Sequence, residues 1–303
     1  MPISRKIMGL KRGGVSKKAI FGYGQDSSFT TISTTNLVNN TGTVSADTTG
    51  VGTIRSGLAA AGYGGDKAIF GYGISAGTRY SITNLVNSSG VVSADTTGVG
   101  TARTALAAAS YGGDKAIFGY GKTTVFYSVT NLVNNTGTVA TDTTGVGTSR
   151  DLLAAANYGN DKAIFGYGEN STAQNMTNLV NSSGTVATDT TGVGTARYGL
   201  AAASYGGDKA IFGYGYGVAD LSTTNLVNNT GTVATDTTGV GTIRSFLAAA
   251  SYGLDKAIFG YGRNDSFTFY SITNHVSNTG TVAANTTGVG TTKASLTASS
   301  YGS

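Results

Sequence analysis

Short apolar runs closed by glycine recur along the chain, separated by stretches of Thr, Asn and Ser. The run KAIFGYG begins at Lys18, Lys67, Lys115, Lys162, Lys209 and Lys256. A second run, TNLVN, begins at Thr35, Thr83, Thr130, Thr177 and Thr224 and returns as TNHVS at Thr273. A third, LAAAxYG, begins at Leu58, Leu106, Leu153, Leu200 and Leu247, and reappears as LTASSYG at Leu296. Between them lies the alternating segment TVATDTT or a close variant. It leads into TTGVGTxR, which ends at Arg55, Arg103, Arg150, Arg197 and Arg244, with Lys293 in the sixth place. Successive KAIFGYG starts are 49, 48, 47, 47 and 47 residues apart. A fixed period of this size is the mark of a repeat architecture.

Each unit reads as a β-strand. KAIFGYG and NLV are too short for helices, and TVATDTT alternates and is rich in Thr and Val. LAAA has helical propensity. However, glycines bracket it so closely that no helix of useful length fits, and it is assigned as a strand of small residues. YGGD, N-x-[ST]-G and TTGVG carry turn chemistry. The pattern predicts four strands per repeat: A (LAAA), B (KAIFGYG), C (NLVN) and D (TVATDTT).

Neither IF nor LV alternates with polar residues, as expected of strands covered on both faces. Four-stranded sheets packed between identical sheets satisfy this, which is the arrangement of a β-propeller blade. The small side chains of A then belong at the crowded axis. The first repeat begins at B, and the final unit is an A segment at Leu296–Gly302. These complementary remainders predict a ring in which the C-terminal A strand completes the N-terminal blade and removes an exposed edge. The expected fold is all-β: a six-bladed β-propeller with four antiparallel strands per blade. The expected boundaries are a basic arm at 1–17 and a propeller at 18–303. The blades fall at about 18–55 plus 296–302, 56–103, 104–150, 151–197, 198–244 and 245–295. A β-solenoid is the competing architecture, although it would require polar caps.

The string R-x-x-L-A-A-A-x-Y-G-G-D-K-A-I-F-G-Y-G resembles the kelch-type repeat of β-propellers. There an Arg precedes a small-residue strand, and the second strand ends in a glycine doublet. Here GYG stands in place of the doublet, and there is no Trp. The resemblance covers about residues 18–303. The near-identical Gly/Thr/Asn-rich units also resemble bacteriophage-encoded repeat proteins that are classed as virion-associated. That resemblance implies a virion or extracellular setting.

Composition narrows the chemistry. The 303 residues include no Cys, one His and a single Glu, Glu169. Thiol catalysis, disulfides and thiolate metal sites are thereby excluded, and so are the copper ligands a kelch-fold oxidase would need. Charged residues make up 12%, against roughly 25% in ordinary domains. Arg5, Lys6, Lys11, Arg12 and Lys17 concentrate positive charge in residues 1–17, which contain no acid and no apolar core of a secretory signal. The body is formally neutral, so nucleic acid is not an expected partner for it, and no apolar run is long enough to span a membrane. Most acids occupy repeated positions. Asp47, Asp95, Asp142, Asp189 and Asp236 sit in D-T-T-G, where an Asx-type turn is expected. Eight residues later stand Arg55, Arg103, Arg150, Arg197 and Arg244. In the sixth repeat Asn285 and Lys293 replace the pair together, which suggests that the two touch or share a neighbour. Ca²⁺ is the competing reading for these Asp and Thr oxygens, but each turn offers one carboxylate and no EF-hand spacing. The Asp66-Lys67 type of pair closes the A–B turn. His275, in place of a Leu, reads as a packed core residue. The sequons at Asn39, Asn87, Asn134, Asn181 and Asn228 fall in the C–D turn, whose geometry accounts for them.

Diversity between repeats is confined to two places: the B–C stretch after GYG and the pair following the repeated Arg, at the D–A connection. In an up-and-down blade both lie on one face of the disc. Phe29, Asp151, Glu169 and Asp220 fall there. So do the candidate ligand contacts Arg79, Tyr80, Lys122, Phe126, Tyr127, Tyr198, Tyr216, Phe246, Arg263, Phe267, Phe269 and Tyr270. Aromatic side chains and Arg on a rigid scaffold are typical recognition anchors. The only acids outside repeated positions, Asp26, Asp151, Glu169, Asp220 and Asp265, are scattered over different repeats. The expectation is therefore a binding or structural protein with no catalytic residues, cofactor or metal. It would contact a glycan, a host surface or another virion protein through this face. A propeller lectin outside any virion is the alternative, and a hydrolase working in the axial channel is the weaker one.

Overall fold

The computed structural model describes residues 17–302. These residues form an all-β architecture of small antiparallel sheets, propeller-like in kind, with no helix among them and hence none able to cross a membrane. Six sheets are built to one plan. In the second repeat, strand A (Ala59–Tyr63) pairs with B (Lys67–Gly71), and B pairs with C (Thr83–Val86). The third to sixth repeats reproduce this order. LAAA is thus a strand, as its bracketing glycines require. In the first sheet the B strand Lys18–Asp26 pairs with C, Thr31–Val38, on one side. On its other side lies Thr297–Tyr301, in register from Lys18↔Tyr301 to Gly22↔Thr297. The two ends of the described chain therefore share a sheet.

The fourth strand is weaker than expected. D touches C through only two bridges per repeat, as at Val38↔Val44 and Thr35↔Thr48. Between these bridges D runs four residues and C three, so D bulges by one. The Asn36 side chain fills the gap, its Nδ2 donating to the Ser45 carbonyl at 3.1 Å and to Asp47 at 2.8 Å. A side chain has taken over part of the ladder.

Each sheet packs on the next through the residues of KAIFGYG, with Ile69 and Phe70 fully buried and Tyr72 buried between sheets. Tyr72 packs edge-on against Phe118 of the following sheet, with centroids 5.1 Å apart, and Tyr261 packs likewise against Phe21. All six of these tyrosines have left-handed backbone, with Tyr72 at φ 65°. That conformation costs a non-glycine residue about 1 kcal/mol, which the buried ring offsets. The glycine before it is required by contact: a Cβ on Gly71 would lie 2.8 Å from the Phe118 ring.

Two sets of backbone hydrogen bonds tie the sheets at their opposite ends. At the A–B turns, Gly64, Gly112, Gly159, Gly206, Gly253 and Gly302 donate at 2.7 Å to Asp114, Asp161, Asp208, Asp255, Lys17 and Asp66. At the D–A connections, Gly57, Ala105, Leu152, Gly199, Phe246 and Ser295 each donate to one member of the same set and accept from another, at 2.7–2.9 Å. Of the expected basic arm, only Lys17 falls among the described residues, and its backbone bridges Gly253.

Candidate functional site

The repeated charges hold sheets to one another. Arg103 is fully buried. Its Nε donates to the Tyr120 carbonyl at 2.7 Å, Nη1 to Thr101 at 3.1 Å and Nη2 to the Asn131 amide oxygen at 2.7 Å. Its guanidinium lies 4.5 Å from the Tyr72 ring centroid, and Nη1 stands 3.8 Å from Asp142. Tyr120, Asn131 and Asp142 belong to the following repeat. Within one repeat, then, Asp95 and Arg103 do not meet: Asp95 faces Arg55 of the preceding repeat at 3.7 Å. The paired change in the sixth repeat divides the same way. Lys293 reaches Asn36 and Asp47, whereas Asn285 contacts Thr242.

The D-T-T-G turn also differs from the expectation. Asp95 does not cap its own turn. It accepts from Thr53 N–H and Oγ1 of the preceding repeat and from Asn84. Burial works to raise its pKa, but the hydrogen bonds from Thr53 and Asn84 and the Arg55 charge outweigh that and hold it below the usual carboxylate value. The Asx turn is found instead at the sequon, where Asn39 Oδ1 accepts from the Thr41 and Thr43 amides at 3.0 and 2.9 Å. His275 is half-buried and shares a hydrogen bond of 2.8 Å between Nδ1 and the Tyr252 hydroxyl. Burial, aided by Lys256, lowers its pKa and favours the neutral ring.

The two variable stretches come together at one end of the sheets. The residue after each repeated Arg or Lys bridges the residue after GYG in the next B strand: Ser56↔Ile74, Thr104↔Lys122, Asp151↔Glu169, Tyr198↔Tyr216, Ser245↔Arg263 and Ala294↔Gln25. Several candidate contacts assemble there. The Tyr198 ring lies 5.5 Å from that of Tyr216 and 6.5 Å from that of Phe246. The Arg263 guanidinium lies 4.5 Å from both the Phe246 and Phe267 centroids. Phe267 and Phe269 both pack on Phe29, at 5.7 and 5.4 Å. The result is one connected arc of six rings and a guanidinium gathered from three repeats. Phe29 and Phe267 are 52% and 57% exposed, whereas Phe269 is buried and supports them.

The remaining candidates stand apart from the arc. Lys122 Nζ lies 5.7 Å over Phe126. Arg79 donates to the Thr123 carbonyl, and Tyr127 accepts from the Thr123 hydroxyl. The Tyr270 hydroxyl accepts from Asn264. Tyr80 is half-buried, its amide bonded to Gly73.

Beside the arc are carboxylates whose burial the sequence did not reveal. Asp151 is fully buried, with Oδ2 2.7 Å from Lys122 Nζ, and Glu169 lies 3.9 Å from the same Nζ. Burial pushes the Asp151 pKa up to about 6 against the pull of Lys122. Asp220 is 4% exposed, and burial raises its pKa as well. Among the described residues no group of three or more potential metal ligands converges. The A strands of all six sheets also line a cavity of about 110 Å³ whose lining side chains are Leu, Ala and Thr297. No protein-family model matches the chain, and no curated protein matches it significantly.

Proposed function

We propose that the chain is a six-bladed β-propeller that serves as a non-catalytic recognition protein. In this reading it is carried on a bacteriophage virion or acts outside a cell, and it engages a glycan, a host surface or another virion protein through its B–C and D–A loops. The ring is supported by the strand shared between the chain ends and by the two six-membered sets of backbone bonds.

The observation that carries the reading is the division of labour between repeated and variable residues. The repeated Arg, Asp, Asn and Tyr are consumed by contacts between sheets, while seven of the variable side chains, from Tyr198 to Phe29, build a single connected arc. Because the arc does not repeat, it suits one composite ligand rather than six equivalent ones. Single-sided diversity on a rigid frame is how loops acquire specificity. A glycan array probed with the intact chain tests this. A carbohydrate signal that falls at least about tenfold in the Phe29→Ser/Phe267→Ser variant is the expected result. Undiminished binding of that same glycan would reject the face, and a blank array would point to a protein partner instead.

A further inference from the structure

We propose that Tyr198, Tyr216 and the carboxylates beside them bind a protonated primary amine carried by an unacetylated amino sugar. This rests on the reading of the loop face as the recognition surface and assigns its central subsite. The two tyrosines are locked side by side by reciprocal backbone bonds of 2.9 and 2.8 Å, with half-buried rings inclined at 47°.

A charged group flanks the pair on each side. One is Lys122 with Asp151 and Glu169. The other is Arg263 with Asp220 and Asp265, in which the Asp265 amide donates to Asp220 Oδ2. Asp220 is the register partner of Tyr216, and the Asp151↔Glu169 bridge belongs to the preceding connection, whose Leu152 carbonyl accepts from the Gly199 amide beside Tyr198. Each group has two carboxylates and one cation, leaving a net negative charge on both sides of the ring pair.

The negative charge is also incompletely answered from within. Asp151 and Asp220 are buried, and Oδ1 of each has no hydrogen-bond partner. Leaving a buried carboxylate oxygen unpaired is costly, and a cation held nearby relieves that cost. The cations already present are engaged. Lys122 is held by Asp151, and Arg263 is held between the Phe246 and Phe267 rings. Partly exposed tyrosine rings beside negative groups are the surroundings that attract an ammonium ion. An amino sugar fits better than a bare amine, because the aromatic surface continues through Phe267 to Phe29, well beyond the reach of one ammonium. Those rings suit the C–H face of a pyranose.

The test is titration calorimetry of the intact chain, near neutral pH, with a chitosan tetramer and with the same tetramer N-acetylated. Binding of the free-amine form about tenfold tighter is expected. Glu169→Gln, at a partly exposed position, should remove most of that preference and leave the N-acetylated form unaffected. Equal affinities for the two tetramers, or no binding of either, would overturn the proposal. Oligolysine binding as tightly as chitosan would overturn the assignment to a sugar. If both tetramers bind equally and both are lost in Phe29→Ser/Phe267→Ser, the face stands and only the amine subsite fails. Chitosan binding indifferent to both sets of variants would end both readings.

Discussion

Asp151 shows how much a single position can depend on what folds over it. Its carboxylate is fully buried beside Lys122, and burial lifts its pKa to about 6 from an ordinary value of 3.8. A folded-state pKa above the unfolded one means that the native protein holds this proton more tightly. The stability contribution is therefore complete below the unfolded pKa and is lost as pH rises through about 6; the loss is about 3 kcal/mol. Replacing Asp151 by Asn should raise the melting temperature by several degrees at alkaline pH and change it little below pH about 4. Thermal melts at both pH values check this, and an equal shift at the two would contradict it. The repeated carboxylates work in the opposite sense: Asp95, held below its usual value, favours the fold above that range and loses its effect on acidification. None of this was legible along the chain. The slot of Asp151 is filled elsewhere by Ser56, Thr104, Tyr198, Ser245 and Ala294, so nothing local marks it as buried. Lys122 and Glu169, which enclose it, come from other connections.

Between elements, the decisive contact is the buried guanidinium that bridges neighbouring sheets. Arg150 donates to Tyr167, Thr148 and Asn178 at 2.8, 2.9 and 2.7 Å and stands 3.8 Å from Asp189. Lys293 shows what a lysine can keep: the bond to Asn36 at 2.7 Å and the approach to Asp47 at 3.7 Å, but not the fork to two backbone carbonyls. Arg150→Lys should thus cost about 1–2 kcal/mol, and Arg150→Met about 3–5 kcal/mol by stranding the acceptors. Denaturant unfolding measures both, and a Met variant as stable as the Lys variant would refute the bridging role. The spacing of Asp and Arg revealed that they were partners in kind but misdirected the pairing. A period along the chain cannot distinguish a contact within one repeat from the equivalent contact with the next. The D strand was likewise overread. Its Thr/Val alternation is that of a strand, but Asn36 and its counterparts insert a side chain where the ladder would run.

Across the whole molecule, the repeat was the most legible feature. The strand order A–B–C and the pairing of the first B strand with the last A segment both follow from where the units begin and end. The aromatic arc was legible only as a list of variable side chains. Which of them touch depends on how neighbouring sheets bring their loops together, and that separated Tyr198, Phe246, Arg263 and Phe267 from Tyr80, Tyr127 and Tyr270. A shared loop face requires the six sheets to close on themselves through the chain ends. Because the chain lacks cysteine, one engineered pair reports this without background. Ala19 and Ser300 are register partners, so Ala19→Cys/Ser300→Cys should oxidise to an intramolecular disulfide. The product should be monomeric, migrate faster than its reduced form on a denaturing gel and melt at a higher temperature. Two freely titratable thiols in the native protein, or disulfides formed between molecules, would contradict the closed ring.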